Sequence, residues 1–148
     1  MISETDWLAQ VALTESDRVE EWFYIMSVVR NRVQHRRYPD TYEGVVTQAY
    51  QFSFYNMFIG NDNKEYVFSE VNRLKNFSAE RMVVAKFIAN QVMSSPKYRA
   101  PFNGNVTLFY SPISMGGRMP SWNWDVVRRL SIAGIDPARF TFGEELDG

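Results

Sequence analysis

Glu15 is the side chain whose position most invites chemistry. Ser3 is a good N-cap, and the residues after it read as a helix from about Glu4 to Glu15. At about 100° per residue, the seven steps from Leu8 to Glu15 return to within ~20° of one direction, with Val11 and Ala12 on either side. Glu15 therefore sits mid-face on an apolar stripe, at the last turn. An ionised, unpaired carboxylate there costs several kcal/mol, and the negative end of the helix dipole opposes ionisation too. Such a group must pair, hydrogen-bond or take a raised pKa. A carboxylic acid kept protonated near neutral pH is what general-acid catalysis requires. The bland alternative is that Glu15 ends the helix and points into solvent, and periodicity alone leaves both readings open.

Other side chains could bind rather than react. Gln51 and Ser53 alternate with Phe52 in a segment, 51–56, that reads as a short strand or extended loop. That alternation puts two polar groups on one side, suited to a cleft wall, and Phe52 on the other; a plain surface strand over a core Phe has the same pattern. Tyr110 needs a hydroxyl partner if buried. Trp122 and Trp124, two apart among Pro and Gly, offer either stacking faces or packing. Asn31 and Gln48 read as structural, bonding loop backbone. Arg30, Arg32, His35, Arg36 and Arg37 form a basic cluster that could meet an anionic polymer, but it reads first as the solvated face and C-terminal turn of a helix.

The elements that must carry these groups are mostly helical. A second helix runs from Asp17, with Glu20 completing a capping box, to about His35, with Trp22, Ile25, Met26, Val29 and Val33 on one stripe. Asp40 and Glu43 suggest another box and a short helix through Val45, Val46 and Ala49. Val67, Val71 and Leu74 mark a further helix, and Ser78 caps one to about Met93; Leu74, Phe77, Met82, Val83 and Phe87 are expected in the core. From Ser94 the texture becomes irregular, with prolines at 96, 101, 112 and 120, one short strand around Val106 to Tyr110, a last helix near Trp124 to Ile132, and a turn from Gly134 to Pro137.

Composition bounds the function. The 148 residues carry 45% hydrophobic and 22% charged side chains, as one soluble domain does. Without cysteine there is no disulfide scaffold, iron–sulfur cluster or thiol nucleophile, and one histidine excludes a histidine-rich zinc site. A net charge of -1 argues against a nucleic-acid binder working through bulk positive charge. The 16% aromatic content means a dense core or a stacking surface. No secretory signal and no apolar run of about 18 residues is visible, so neither export by a signal nor stable membrane insertion is expected.

Several blocks carry a resemblance. Ala-Leu-Thr-Glu-Ser at 12–16 and Val28-Val29-Arg30-Asn31-Arg32-Val33 resemble the opening of the SleB-type cell wall hydrolases, the spore cortex-lytic family. Tyr38-Pro39-Asp40-Thr41, Gly44-Val45-Val46-Thr47-Gln48 and Gln51-Phe52-Ser53 are similar to its next blocks. Leu108-Phe109-Tyr110-Ser111-Pro112, Pro120-Ser121-Trp122-Asn123-Trp124 and Arg139-Phe140 are similar to its closing segment. The chain departs from the family where Ser16-Asp17-Arg18-Val19 replaces Ala-Arg-Gly-Glu, where the spacing to Asn31-Arg32-Val33 is about two residues short, and where Ser111 replaces Asn.

The resemblance implies a lysozyme-like single domain over residues 1–148, mainly α (α+β) with a small β element, acting on peptidoglycan glycan strands with Glu15 as the catalytic glutamate. Gln51, Phe52, Ser53, Tyr110, Trp122 and Trp124 are then candidate substrate-binding residues, and no metal or other cofactor is expected. A two-carboxylate glycosidase needs a second acid about 5–9.5 Å away, and among Asp17, Glu20, Glu21, Asp40 and Glu43 none is placed convincingly by sequence. A single acid suffices in a lytic transglycosylase, where it protonates the glycosidic oxygen between N-acetylmuramic acid and N-acetylglucosamine and its carboxylate then deprotonates the muramic 6-hydroxyl, which closes on C1. The alternatives are a water-using muramidase on the same fold and a non-catalytic peptidoglycan-binding virion protein. The expected setting is a phage endolysin, or a virion-borne lysin with other virion proteins as partners, made in the host cytoplasm and working on the wall from the periplasm.

Overall fold

A computed structural model of the chain describes residues 1–94 and 104–146; Pro96 and Pro101 lie outside the described residues. The chain divides into two compact units, Met1–Ala100 and Pro101–Gly148. The first is helical, and the second holds a three-stranded antiparallel sheet, so the chain is mainly α with a small β element. No helix among the described residues is long and apolar enough to cross a membrane.

The first unit contains α1 (Glu4–Glu15), α2 (Val19–Gln34), α3 (Tyr42–Thr47), a 3₁₀ turn (Ser53–Phe58), α4 (Lys64–Lys75) and α5 (Ala79–Ser94). Every residue of α1 from Trp7 to Leu13 is buried, so this helix is wrapped on all sides rather than resting on one stripe. α2, α3, α4 and α5 all pack against it. Its start is fixed by the reciprocal pair Ser3 and Asp6, by Lys86 of α5 at 2.8 Å from Asp6, and by Glu4, which accepts the Tyr42 N–H of α3 at 2.6 Å.

Several expectations change here. The capping box of Asp17 and Glu20 does not form. α2 begins at Val19 with no side-chain cap, because Ser16 Oγ accepts the Arg18 N–H at 3.0 Å and donates to buried Glu21. The cap of α3 is Thr41, accepting the Gly44 N–H at 3.0 Å, rather than Asp40. Segment 51–56 is a turn running into the 3₁₀ element, not a strand. Leu74, Val83 and Phe87 are 46%, 67% and 64% exposed, and Phe77 and Met82 are half-buried. The core face of α5 is instead Ala85, Ala89 and Val92, whose small side chains let its backbone approach α1 and α2.

The second unit has β1 (Val106–Tyr110), β2 (Val127–Leu130) and β3 (Thr141–Glu145), in the order β1-β3-β2. β1 lies where expected. The helix near Trp124 to Ile132 is not formed: Val127 to Leu130 pair instead with β3, Arg129 opposite Gly143 and Arg128 opposite Glu144. Arg128 also forms an ion pair with the buried Glu144 carboxylate, and Thr107 of β1 hydrogen-bonds Glu145. On one face Phe109, Phe140 and Phe142 make an aromatic cluster, Phe109 lying 5.8 and 6.2 Å from the other two.

Candidate active site

Glu15 is the final residue of α1 and is half-buried. The turn after it is pinned from three sides. Ser16 N–H caps the helix by donating to Ala12 O at 3.0 Å, Ser16 O accepts from the Trp22 indole at 2.8 Å, and Asp17 O accepts from Arg81 at 2.9 Å. Arg81 in turn stacks 5.0 Å over the Trp22 ring. The catalytic candidate thus sits on a helix end that the neighbouring helices hold rigidly.

Burial pushes the Glu15 carboxyl up from 4.5 to about 7, against the opposing pull of two cations, Arg32 and then Lys75. A buried polar chain lies within electrostatic reach of Glu15. Tyr55 of the 3₁₀ turn donates its hydroxyl to Gln10 Oε1 at 2.8 Å, and Gln10 Nε2 donates to Phe68 O at 2.9 Å and Asn72 Oδ1 at 2.8 Å. Burial, then the Glu15 charge, holds the Tyr55 phenol well above its ordinary range. Tyr55 is therefore a neutral donor.

Arg32 is 3% exposed, and Arg30 is 6% exposed, so neither belongs to a solvated face as expected. The Arg32 guanidinium lies between two rings, 5.4 Å from Tyr38 and 5.2 Å from Phe52, and Nη1 reaches Gln51 Oε1 at 3.4 Å. Phe52 is itself 1% exposed and serves as the floor under Arg32, while Gln51 and Ser53 are exposed. Lys75, at the end of α4, stacks 4.7 Å over Phe54. Asn31 is buried in α2. Gln48 does not bond loop backbone through its amide oxygen, which is buried without a hydrogen-bond partner among the described residues.

The remaining candidates lie together in the second unit. Tyr110 meets Trp122 edge-on at 5.3 Å, and Trp122 lies 5.3 Å from Trp124 at 41°. The structure thus brings Glu15, Gln51, Phe52 and Ser53 into the helical unit, and Tyr110, Trp122 and Trp124 into the sheet unit.

A family model described as Cell Wall Hydrolase matches residues 16–136. The chain belongs to the cell wall hydrolase family. The polymer this activity acts on is peptidoglycan. The matched span holds Arg32, Gln51, Tyr110, Trp122 and Trp124, and it opens one residue after Glu15. No curated protein and no solved structure matches the chain significantly.

Among the acids weighed as a second carboxyl, Asp17, Glu20 and Asp40 are exposed and Glu43 half-buried, whereas Glu21 is 2% exposed and holds Ser16, the residue next to Glu15. Arg32 is a site residue that the sequence reading places on a solvated face, although the sequence carries a signal for its burial. It follows Ile25 by seven positions and Val29 by three, the same spacing that singled out Glu15, and so it falls on the buried stripe of α2. Tyr55 and Gln10 had no such signal, since their pairing joins residues 45 positions apart.

Proposed function

We propose that this cell wall hydrolase cleaves the β-1,4 bond between N-acetylmuramic acid and N-acetylglucosamine as a lytic transglycosylase, with Glu15 as acid and then base. The observation that carries the reading is a half-buried carboxyl at the end of α1 whose pKa burial lifts to about 7 while the charges acting on it are cations. Such a group is protonated often enough at neutral pH to donate to the glycosidic oxygen. Its carboxylate, once formed, is steadied by Arg32 and Lys75, so it survives long enough to take the proton of the muramic 6-hydroxyl. That hydroxyl closes on C1, the aglycone leaves with the first proton, and Glu15 regains a proton for the next cycle. The reaction needs no external water and no second carboxylate.

Gln51 and Ser53, exposed beside the Arg32 assembly, are assigned to hydrogen bonds with sugar hydroxyls or N-acetyl groups; Tyr110, Trp122 and Trp124 are assigned to sugar faces. The proposed setting is that of a phage endolysin or virion-borne lysin.

One observation favours a second reading. Buried Glu21 is a carboxyl within one hydrogen bond of Ser16, and a water-using muramidase needs a second acid. Mass spectrometry of products from purified sacculi separates the two. Ends of 1,6-anhydromuramic acid support the transglycosylase, and reducing muramic ends support hydrolysis. No products, from protein that still pellets with sacculi, would make the chain a non-catalytic wall binder.

A further inference from the structure

Gly143 sits at the centre of β3, opposite Leu108 of β1 on one side and Arg129 of β2 on the other. A Cβ at this position would come within 2.9 Å of Trp122 Cζ3 and 3.1 Å of both Leu108 and Val127. Gly143 is therefore a notch in the sheet face, and the Trp122 indole occupies it. From that anchor a continuous array extends over the face: Tyr110 edge-on to Trp122, Trp122 beside Trp124, and the Arg129 guanidinium 5.2 Å over the Trp124 ring. Trp124 is held in orientation by its indole N–H, which donates to Pro120 O at 3.2 Å.

The two arginines of β2 have different circumstances. Arg128 pairs with Glu144. Arg129 is exposed; it lies over the Trp124 ring and donates to Met119 Sδ at 3.3 Å, and it has no carboxylate partner among the described residues. A guanidinium stacked on an indole keeps its donor edge outward and pre-oriented, and that edge matches a carboxylate two bonds at a time. The neighbouring indoles present electron-rich faces on which the C–H face of a pyranose can rest. Trp122 and Trp124 are both half-buried, so part of each ring reaches solvent.

We propose that this face is a recognition site for an acidic sugar, in which Trp122 and Trp124 take the pyranose and Arg129 takes a carboxylate carried on it. In peptidoglycan that group is the lactyl carboxyl of an unsubstituted muramic residue, or a stem-peptide carboxyl where one is attached. The proposal rests on the glycan reading given above, and makes the sheet unit select muramic over neutral N-acetylglucosamine strands.

The test is a tryptophan-fluorescence titration of the full chain with three probes: a muramyl disaccharide with a free carboxyl, its methyl ester, and a chitin oligomer of equal length. Arg129→Gln is expected to weaken the free-carboxyl probe about two- to fivefold, as an exposed ion pair does, to remove the salt dependence of its binding, and to leave the ester and the chitin oligomer unchanged. Arg129→Lys, which keeps charge but loses the planar fork, should fall between. Equal binding of the acid by wild type and Arg129→Gln, with Trp124→Phe and Trp124→Ala still weakening all three probes, would overturn the acidic-sugar assignment and leave the glycan reading intact. If correctly folded Trp124 variants bound every probe as wild type does, the platform itself would be wrong, whatever sacculus digestion showed for Glu15.

Discussion

The Arg32 guanidinium lies 5.2 Å above the buried ring of Phe52, a contact that helps hold a cation in the interior close enough to act on Glu15. Phe52 supplies an electron-rich floor and Tyr38 a second wall, while Gln51 takes one N–H. Replacing Arg32 with Gln removes the main charge that pulls the Glu15 pKa down. The alkaline limb of the kcat/KM profile on sacculi should therefore move to higher pH. Arg32→Lys keeps the charge, loses the stacked fork, and should keep that limb nearer its original place at reduced activity.

Glu15→Gln should lower turnover by about 10²- to 10⁴-fold, the usual worth of a positioned general acid, while binding to sacculi persists. An unchanged lytic rate would remove Glu15 from the mechanism.

The same substitution has a stability signature of definite sign. The folded pKa of about 7 lies above the unfolded 4.5, so the folded state holds the proton more tightly. The stabilisation from the neutral acid is complete below pH 4.5 and is lost as pH rises through 7, on the order of 2–3 kcal/mol for a partly exposed group. Denaturant titrations at pH 5 and pH 8 should show wild type losing stability relative to Glu15→Gln over that window.

Tyr55→Phe deletes the donor to Gln10 Oε1 and leaves that oxygen buried and unpaired. The expected cost is about 1–3 kcal/mol, read as a fall in Tm of several degrees.

On α5 the exposed and buried faces should separate cleanly. Phe87→Ala should change stability by less than about 0.5 kcal/mol, whereas Ala89→Leu should cost about 1–3 kcal/mol by overfilling the contact with α1 and α2. Thermal melts of the two variants check this against the expectation that Phe87 is core.

Gly143→Ala would drive a methyl into Trp122. Near-UV circular dichroism should lose aromatic ellipticity as the indole leaves its notch, while the helical far-UV signal is kept.

Local patterns in the sequence determined α1 with its Ser3 cap, the run of α2, the Ser78 start of α5, strand β1 and the position of Glu15. These depend on hydrogen bonds and periodicities within a few residues, and Glu15 declared itself because a charge on an apolar stripe contradicts its neighbours. What only the tertiary structure decided depends on partners far along the chain. Val127 to Leu130 could serve a helix or a strand, and β3, with Gly143 and two glutamates in Thr141–Glu145, carries little strand propensity of its own; each became a strand because the other, with Arg128 facing Glu144, supplied the missing hydrogen bonds and charge. The exposure of Val83 and Phe87 and the burial of Arg32 likewise followed from which face of each helix met α1 or the Phe52 ring. Apolar or charged character alone could not say so, because burial is a property of the packed pair and not of the residue.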